Sequence, residues 1–153
     1  MRTDDPPNPD SPPPRRAVYF DGTYRETMNL LLETRDYMRF REPVDRRAVP
    51  DDHRLMVNCE ALRLTSRLTH IMAWLLIQKA VHAGEITAAE AASDDHRLAG
   101  QAVCRERAAA DEVTMPPALA LLLERSYRLY ARVERLDALV AREVQGTRAQ
   151  TTH

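Results

Sequence analysis

The most apolar run of the chain, Met72–Ile77, constrains its fold more than any other stretch. These residues are apolar on every side of a helix and include Trp74, the only tryptophan. A surface helix has one apolar stripe and one polar face, so a segment that is apolar all round needs neighbours on more than one side. Because a membrane span takes about 20 apolar residues, the run predicts the middle of a helical bundle and no membrane span.

The composition favours an all-α protein. The 153 residues include only four glycines and two phenylalanines, and the abundant Ala, Leu and Arg are good helix formers. The net charge of −1 implies no strong nucleic-acid partner, and the N-terminus carries no apolar signal peptide. Cys59 and Cys104 lack a CxxC spacing, which indicates reduced thiols of a cytoplasmic protein.

Apolar spacing divides the chain into a helical domain and two tails. Residues 1–16 hold six of the ten prolines and predict a disordered tail. Residues 17–145 predict a three-helix bundle in which the second and third helices are long. Residues 146–153, which begin at a glycine, predict a second disordered tail.

Capping signals set the expected helix limits. The first helix is predicted from Thr23, which has capping-box spacing to Glu26, to Phe40. The second should begin after Asp51 or Asp52 and end at Gly84, and the third should run from Pro116 or Pro117 to Val144. Thr87 and Glu90 predict a short helix at Ala88–Ala92, followed by a polar, irregular segment up to Met115.

The second helix shows three arcs at 100° per residue. The first is predicted to be buried and consists of Val57, Ala61, Leu64, Leu68, Ile71 and Leu75. The second has smaller residues that let another helix approach closely, and consists of Leu55, Leu62, Thr69, Ala73 and Ala80. The third is polar and consists of Glu60, Arg63, Arg67, His70, Trp74 and Gln78. Trp74 on this arc is covered by the chain's own loops or contacts a partner.

The third helix has one continuous stripe, made of Leu119, Leu122, Ser126, Leu129, Val133, Leu136 and Val140. The first predicted helix is only about 27 Å long, some ten residues shorter than the other two. Either residues 85–115 or a second subunit must then cover the apolar surface at one end. From this mismatch and the all-round apolar run we predict a homodimer.

No residue pattern indicates catalysis. None of the five histidines forms HxxxH, HExxH or a close pair with cysteine, and the chain has no glycine-rich phosphate loop and no G-x-S-x-G. We therefore expect no enzymatic activity, no metal and no cofactor. We predict instead a partner-binding surface, because aromatic groups with polar tips are typical of interfaces. Its residues are Trp74, Gln78 and His82 of the second helix and Tyr127 and Tyr130 of the third.

The segment Thr69–Ile86, with Trp-Leu-Leu-Ile-Gln-Lys-Ala-Val-His-Ala-Gly-Glu at its centre, resembles the signature of the bacterial "regulator of CtrA degradation" family. Thr27–Met38 and Ser126–Leu136 agree with it, and the resemblance spans about Val18 to Ala141. It implies a homodimeric three-helix bundle that acts as an adaptor without enzymatic activity.

The resemblance also implies partners. Such adaptors help deliver the cell-cycle regulator CtrA and other substrates to the ClpXP protease. They act with a response-regulator-like primer of the protease and with a cyclic-di-GMP-binding adaptor, in the cytoplasm and at a cell pole. The alternative from the residues is a helical DNA-binding or transcription-associated regulator. That alternative needs a basic recognition helix, whereas Arg63 and Arg67 share their arc with Glu60 and Trp74.

Overall fold

The computed structural model describes residues 15–107 and 114–152 and is all-α over them, as the composition predicts. Three long helices form the bundle. In chain order the helices are α1 (Arg15–Asp36), α2 (Glu42–Ala48), α3 (Arg54–His82), α4 (Ala88–Ala91), α5 (Gln101–Cys104) and α6 (Pro117–Thr151). A π-helical turn, Tyr37–Arg41, joins α1 to α2, and 3-10 turns lie at Asp51–His53 and Asp94–His96. Of the predicted tail 1–16, residues 1–14 lie outside the described part.

The helix α1 begins eight residues before the predicted start at Thr23. Thr23 lies inside the helix, where its carbonyl accepts a hydrogen bond from the Thr27 hydroxyl at 2.7 Å. Phe20 and Thr23 are both buried, and this packing stabilises helical residues that precede Thr23. That spacing therefore does not mark a helix start.

The π turn corrects the predicted end of the first helix at Phe40. Buried positions along α1 follow a 3-4 rhythm that ends at Tyr37 and would next reach Arg41 in an unbroken α-helix. A π turn holds one extra residue, and Arg41 is exposed. Pro43 then occupies the first turn of α2, one residue after Glu42, whose N–H donates to the Tyr37 carbonyl at the end of the π turn. The first helical arm thus reaches Ala48, and the short first helix that motivated the homodimer prediction is absent.

The helix α3 confirms that the predicted apolar arc is buried. The other two arcs are exchanged: the small-residue arc is exposed and the polar arc is buried. Leu64, Leu68 and Ile71 are fully buried at the centre of the bundle. The small-residue arc, expected to meet another helix, faces outward, with Leu62 70% exposed. The polar arc faces inward, and it buries Glu60, Arg67, Trp74 and Gln78. Beyond the helix, Gly84 takes a positive φ, as its predicted role at a C-terminus requires.

The helix α6 confirms the predicted stripe but runs seven residues past Val144, to Thr151. Gly146 does not adopt a positive φ, so it continues the helix. The hydroxyls of Thr147 and Thr151 donate to the carbonyls four residues earlier, at 3.0 and 2.9 Å. The predicted disordered tail 146–153 is therefore helical as far as Thr151.

Two of the long helices run parallel, because Arg67 of α3 contacts Leu123 of α6 while Trp74 of α3 contacts Asp137. The chain between parallel helices must return along the bundle. Residues 93–107, here called the strap, make that return: Arg97 pairs with Asp137, and Arg107 pairs with Glu124 nearer the start of α6. This topology explains why so long a segment separates the two helices.

The predicted short helix before the strap is confirmed as α4, with its capping box. The Thr87 hydroxyl accepts from the Glu90 amide at 3.1 Å, and the Glu90 carboxylate accepts from the Thr87 amide at 2.7 Å. No helix in residues 15–107 and 114–152 is long and apolar enough to cross a membrane.

Replacing Leu68 with alanine should lower the free energy of unfolding by about 2–5 kcal/mol, because the side chain is fully buried and its loss opens a cavity. Leu139→Ala on the outer face of α6 is the matched control and should cost no more than about 1 kcal/mol. Urea denaturation followed by circular dichroism measures both. Equal losses would show that the core is not centred on this arc.

Candidate partner-binding surface

Trp74 lies in the interior, contrary to its expected place on an exposed polar face. It is 2% exposed, and its indole N–H donates to Asp137 Oδ1 at 2.9 Å. The Phe20 and Trp74 rings meet in a T-shaped arrangement with their centroids 5.5 Å apart. An indole can be buried when its N–H finds an acceptor, so Trp74 joins α1, α3 and α6 from within. Of the two readings of Trp74, cover by the same chain is the one observed.

Asp137 completes this contact from α6. Its second oxygen, Oδ2, accepts from Arg97 Nε of the strap at 2.9 Å. A buried carboxylate is tolerated when it is paired and hydrogen-bonded, and here both oxygens have donors. Asp137 was missed by the sequence interpretation. It continues the 4-3 spacing of Ser126, Tyr130 and Val133, and that spacing is the signal that could have shown it to be buried.

Arg67 occupies the same buried arc of α3 and binds backbone carbonyls instead of a carboxylate. Its guanidinium is fully buried. Its acceptors are the carbonyl oxygens of Cys104 (2.9 Å), Leu123 (3.2 Å) and Glu106 and the hydroxyl of Ser126 (3.3 Å). Burial, and next the charge of Arg63, lower the pKa of Arg67, but arginine stays protonated in proteins. One cation therefore ties the strap to α6.

Tyr130 holds the middle of the strap. Its hydroxyl donates to the Ala99 carbonyl at 2.8 Å, and burial raises its pKa. At the next residue, Gly100, φ is +84°, and a Cβ there would lie 2.4 Å from Cδ2 of His70. Only glycine therefore lets the strap lie so close to α3.

Of the five residues predicted to bind partners, only two reach solvent. Trp74, Gln78 and Tyr130 are buried, whereas His82 is exposed and Tyr127 is half-buried. The Tyr127 ring lies against two guanidinium groups, with Arg67 at 5.4 Å and Arg107 at 4.5 Å from its centroid. A role in partner binding stays a prediction for His82 and Tyr127. The three buried residues have no free surface to offer.

The surface that the fold leaves open is the outward arc of α3. We call it the outer stripe and define it as Leu55, Leu62, Thr69, Ala73 and Leu76, all exposed. Leu62 and Leu76 are 70% and 51% exposed. Large apolar side chains in a row on one helix face are typical of interaction sites. The described residues contain no group of three or more His, Cys, Asp or Glu side chains that could hold a metal ion.

Replacing Arg67 with methionine should loosen the strap, because the Cys104 and Glu106 carbonyls lose their donor. Each unsatisfied buried group costs about 1–3 kcal/mol. Amide hydrogen exchange should rise in residues 98–107 by at least tenfold, which corresponds to about 1.4 kcal/mol. Arg35→Met, on the exposed pair with Asp36 at the end of α1, is the control and should leave strap exchange unchanged. Unchanged strap exchange in Arg67→Met would contradict the role of this cation.

Comparison with known proteins gives the chain its family. Residues 14–152 match the family model described as "Protein of unknown function (DUF1465)". The crystal structure of RcdA from Caulobacter crescentus CB15 is similar, with a TM-score of 0.65 and 33% sequence identity, over 79% of this chain and 89% of that one. No curated protein matches. The match to RcdA confirms the resemblance seen in Thr69–Ile86. The chain belongs to the DUF1465 family, with RcdA, the regulator of CtrA degradation, as a relative.

Proposed function

We propose that this protein is a non-enzymatic adaptor of regulated proteolysis that helps deliver CtrA and other substrates to the ClpXP protease. The observation that carries the proposal is the 33% identity with RcdA over 79% of the chain, since RcdA is a regulator of CtrA degradation. The exposed apolar outer stripe suits a protein that works by contacting other proteins. The proposed setting is the cell cycle, in the cytoplasm and at a cell pole.

The adaptor is proposed to act as a homodimer joined through the outer stripe. Leu55, Leu62, Thr69 and Leu76 recur every seven residues, which is the repeat of a helix pair that packs side by side. The small side chains of Thr69 and Ala73 allow a second α3 to approach closely. A two-fold axis would place the same stripe on both sides of the interface, so one helix face suffices for both copies.

The remaining partners are proposed from the same relationship. They are the substrate proteins, a protease-associated response regulator and a cyclic-di-GMP-binding adaptor. His82, exposed at the end of α3, and Tyr127, beside the strap, are the predicted contact residues that remain accessible. The outer stripe is apolar rather than basic, which favours a protein partner over DNA.

The double variant Leu62→Glu/Leu76→Glu should be monomeric, because it would bring like charges together in the apolar interface. Wild type should sediment as a dimer at tens of micromolar, and both proteins should keep the same far-UV spectrum. Leu139→Glu, at a similarly exposed leucine of α6, is the control and should remain dimeric. If wild type is monomeric, or if the double variant is dimeric, the outer stripe is not a dimer interface.

A reconstituted degradation assay tests the adaptor role itself. Adding the protein to ClpXP, CtrA and the two priming partners should shorten the CtrA half-life several-fold, whereas the protein alone should cleave nothing. His82→Ala should reduce this stimulation at an unchanged melting temperature, and so should Tyr127→Phe, which keeps the ring against Arg67 and Arg107. A CtrA half-life that does not respond to the protein at saturating concentration would refute the delivery function.

A further inference from the structure

A second exposed apolar site lies away from the outer stripe, where the π turn passes the first half of α6. It is a groove of about 410 Å³, and Tyr37, Phe40, Ala118, Leu121 and Leu122 form its apolar lining. Phe40 is 62% exposed and Leu121 60% exposed. Two large apolar side chains that flank a concave site give a binding partner contact area without rearrangement.

Two carboxylates, Glu33 and Asp36, and two guanidinium groups, Arg41 and Arg125, line this groove. Glu33 is paired with Arg125 across the groove, and Asp36 is paired with Arg35. The cations Arg39 and Arg41 have no ion-pair partner among the described residues, and the Arg39 guanidinium lies 5.2 Å from the centroid of the Phe40 ring. The groove therefore has the unpaired Arg41 in its lining, and the unpaired Arg39 lies beside it against the Phe40 ring.

The π turn produces this arrangement and fixes it. The extra residue of the turn takes Arg41 out of the inward position that follows Tyr37 in an α-helix. Tyr37 is buried below, and burial together with the Asp45 carboxylate of α2 raises its pKa. Pro43 restricts the backbone immediately after the turn. A groove held in this way loses little conformational entropy when it binds a ligand.

We propose that this groove binds an acidic amphipathic helix of a partner protein. An apolar side chain of that helix enters between Phe40 and Leu121, and its carboxylates pair with Arg39 and Arg41. A helix lying in an apolar groove is a common recognition mode, and rim charges give it orientation and selectivity. The inference rests on the proposed adaptor function and adds a partner site separate from the dimer interface.

The chain's own N-terminal segment is a poorer occupant. Residues 1–14 precede Arg15, which lies 25 helical residues before Phe40, or about 38 Å along the axis. That segment contains six prolines, whereas the proposed occupant is a helix, a conformation that proline interrupts. A second copy of the chain is the other occupant to be separated by experiment.

Selection from a phage library of helical 16-residue peptides on the immobilised full-length protein tests the proposal. The enriched peptides should carry net negative charge and apolar residues at i, i+3, i+4 and i+7. A synthetic copy of the most enriched peptide should bind Phe40→Ala/Leu121→Ala and Arg39→Glu/Arg41→Glu at least tenfold more weakly, by fluorescence anisotropy. Binding to Leu139→Ala and Arg128→Glu should change less than about twofold.

Several outcomes would overturn the proposal. Enriched peptides that are basic or uncharged, or binding that both groove variants retain, would exclude an acidic helix in the groove. Loss of the dimer in Phe40→Ala/Leu121→Ala would assign the groove to a second copy. A tenfold gain in peptide affinity on deletion of residues 1–14 would assign it to that segment.

The same peptide separates this proposal from the dimer. Leu62→Glu/Leu76→Glu should bind it as wild type does, which supports a groove independent of the outer stripe. Loss of binding in that variant would overturn this independence. If the protein is dimeric and stimulates CtrA degradation but selects no acidic peptide, only the groove proposal is refuted. If it binds the peptide but has no effect on CtrA degradation, only the delivery function is refuted.

Discussion

The buried guanidinium of Arg67 is the interaction on which the rest of the arrangement depends. It is a cation in the interior, and its direct acceptors are carbonyls and one hydroxyl. Removing a charge from water is costly unless hydrogen bonds replace the water. Those acceptors come from the strap and α6, so the cation is stable only when both elements are in place against α3. The Glu60 carboxylate nearby partly offsets its charge.

The parallel course of α3 and α6 creates the need for this interaction. The chain must return along the bundle between them, and the return segment places only Leu98 and Cys104 in the hydrophobic core. Discrete polar contacts hold it as well: Arg97 with Asp137, Tyr130 with the Ala99 carbonyl, and Arg67 with two strap carbonyls. The polar arc of α3 therefore provides contacts for the strap and for α6. This explains why charged residues and the tryptophan share one face of α3.

Because the polar arc of α3 is buried in the bundle, exposed apolar side chains lie elsewhere, including on the two surfaces proposed to bind other proteins. The outer stripe lies on α3, and the groove at Phe40 lies between the π turn and α6. Their lining residues do not overlap, so both proposed contacts can be occupied at once. The proposed dimeric adaptor needs such a division, since it would hold a second copy and still present a site to other proteins. The two surfaces also differ in chemistry, because the outer stripe is apolar and the groove has free arginines at its rim.

The sequence alone determined the helical class, the limits of α3 within a few residues, the buried arc through Leu64 and Leu68, the stripe on α6 and the capped helix α4. Each of these depends on spacing within one segment or on local hydrogen bonds, which a sequence displays directly. The family resemblance was also present in one contiguous run. The continuation of α1 into a π turn and α2 was not, because Pro43 ends a helix in one context and begins another in the next.

Tertiary structure decided which arc of α3 faces inward. Periodicity groups Arg67, Trp74 and Gln78 on one face, but polarity alone places that face in solvent. The burial of Arg67 and Trp74 depends on acceptors that lie far away in the chain, at Cys104, Leu123 and Asp137, and on the parallel course of α6 that brings these groups together. Burying such donors is costly unless acceptors satisfy them, and no local pattern records where those distant acceptors are.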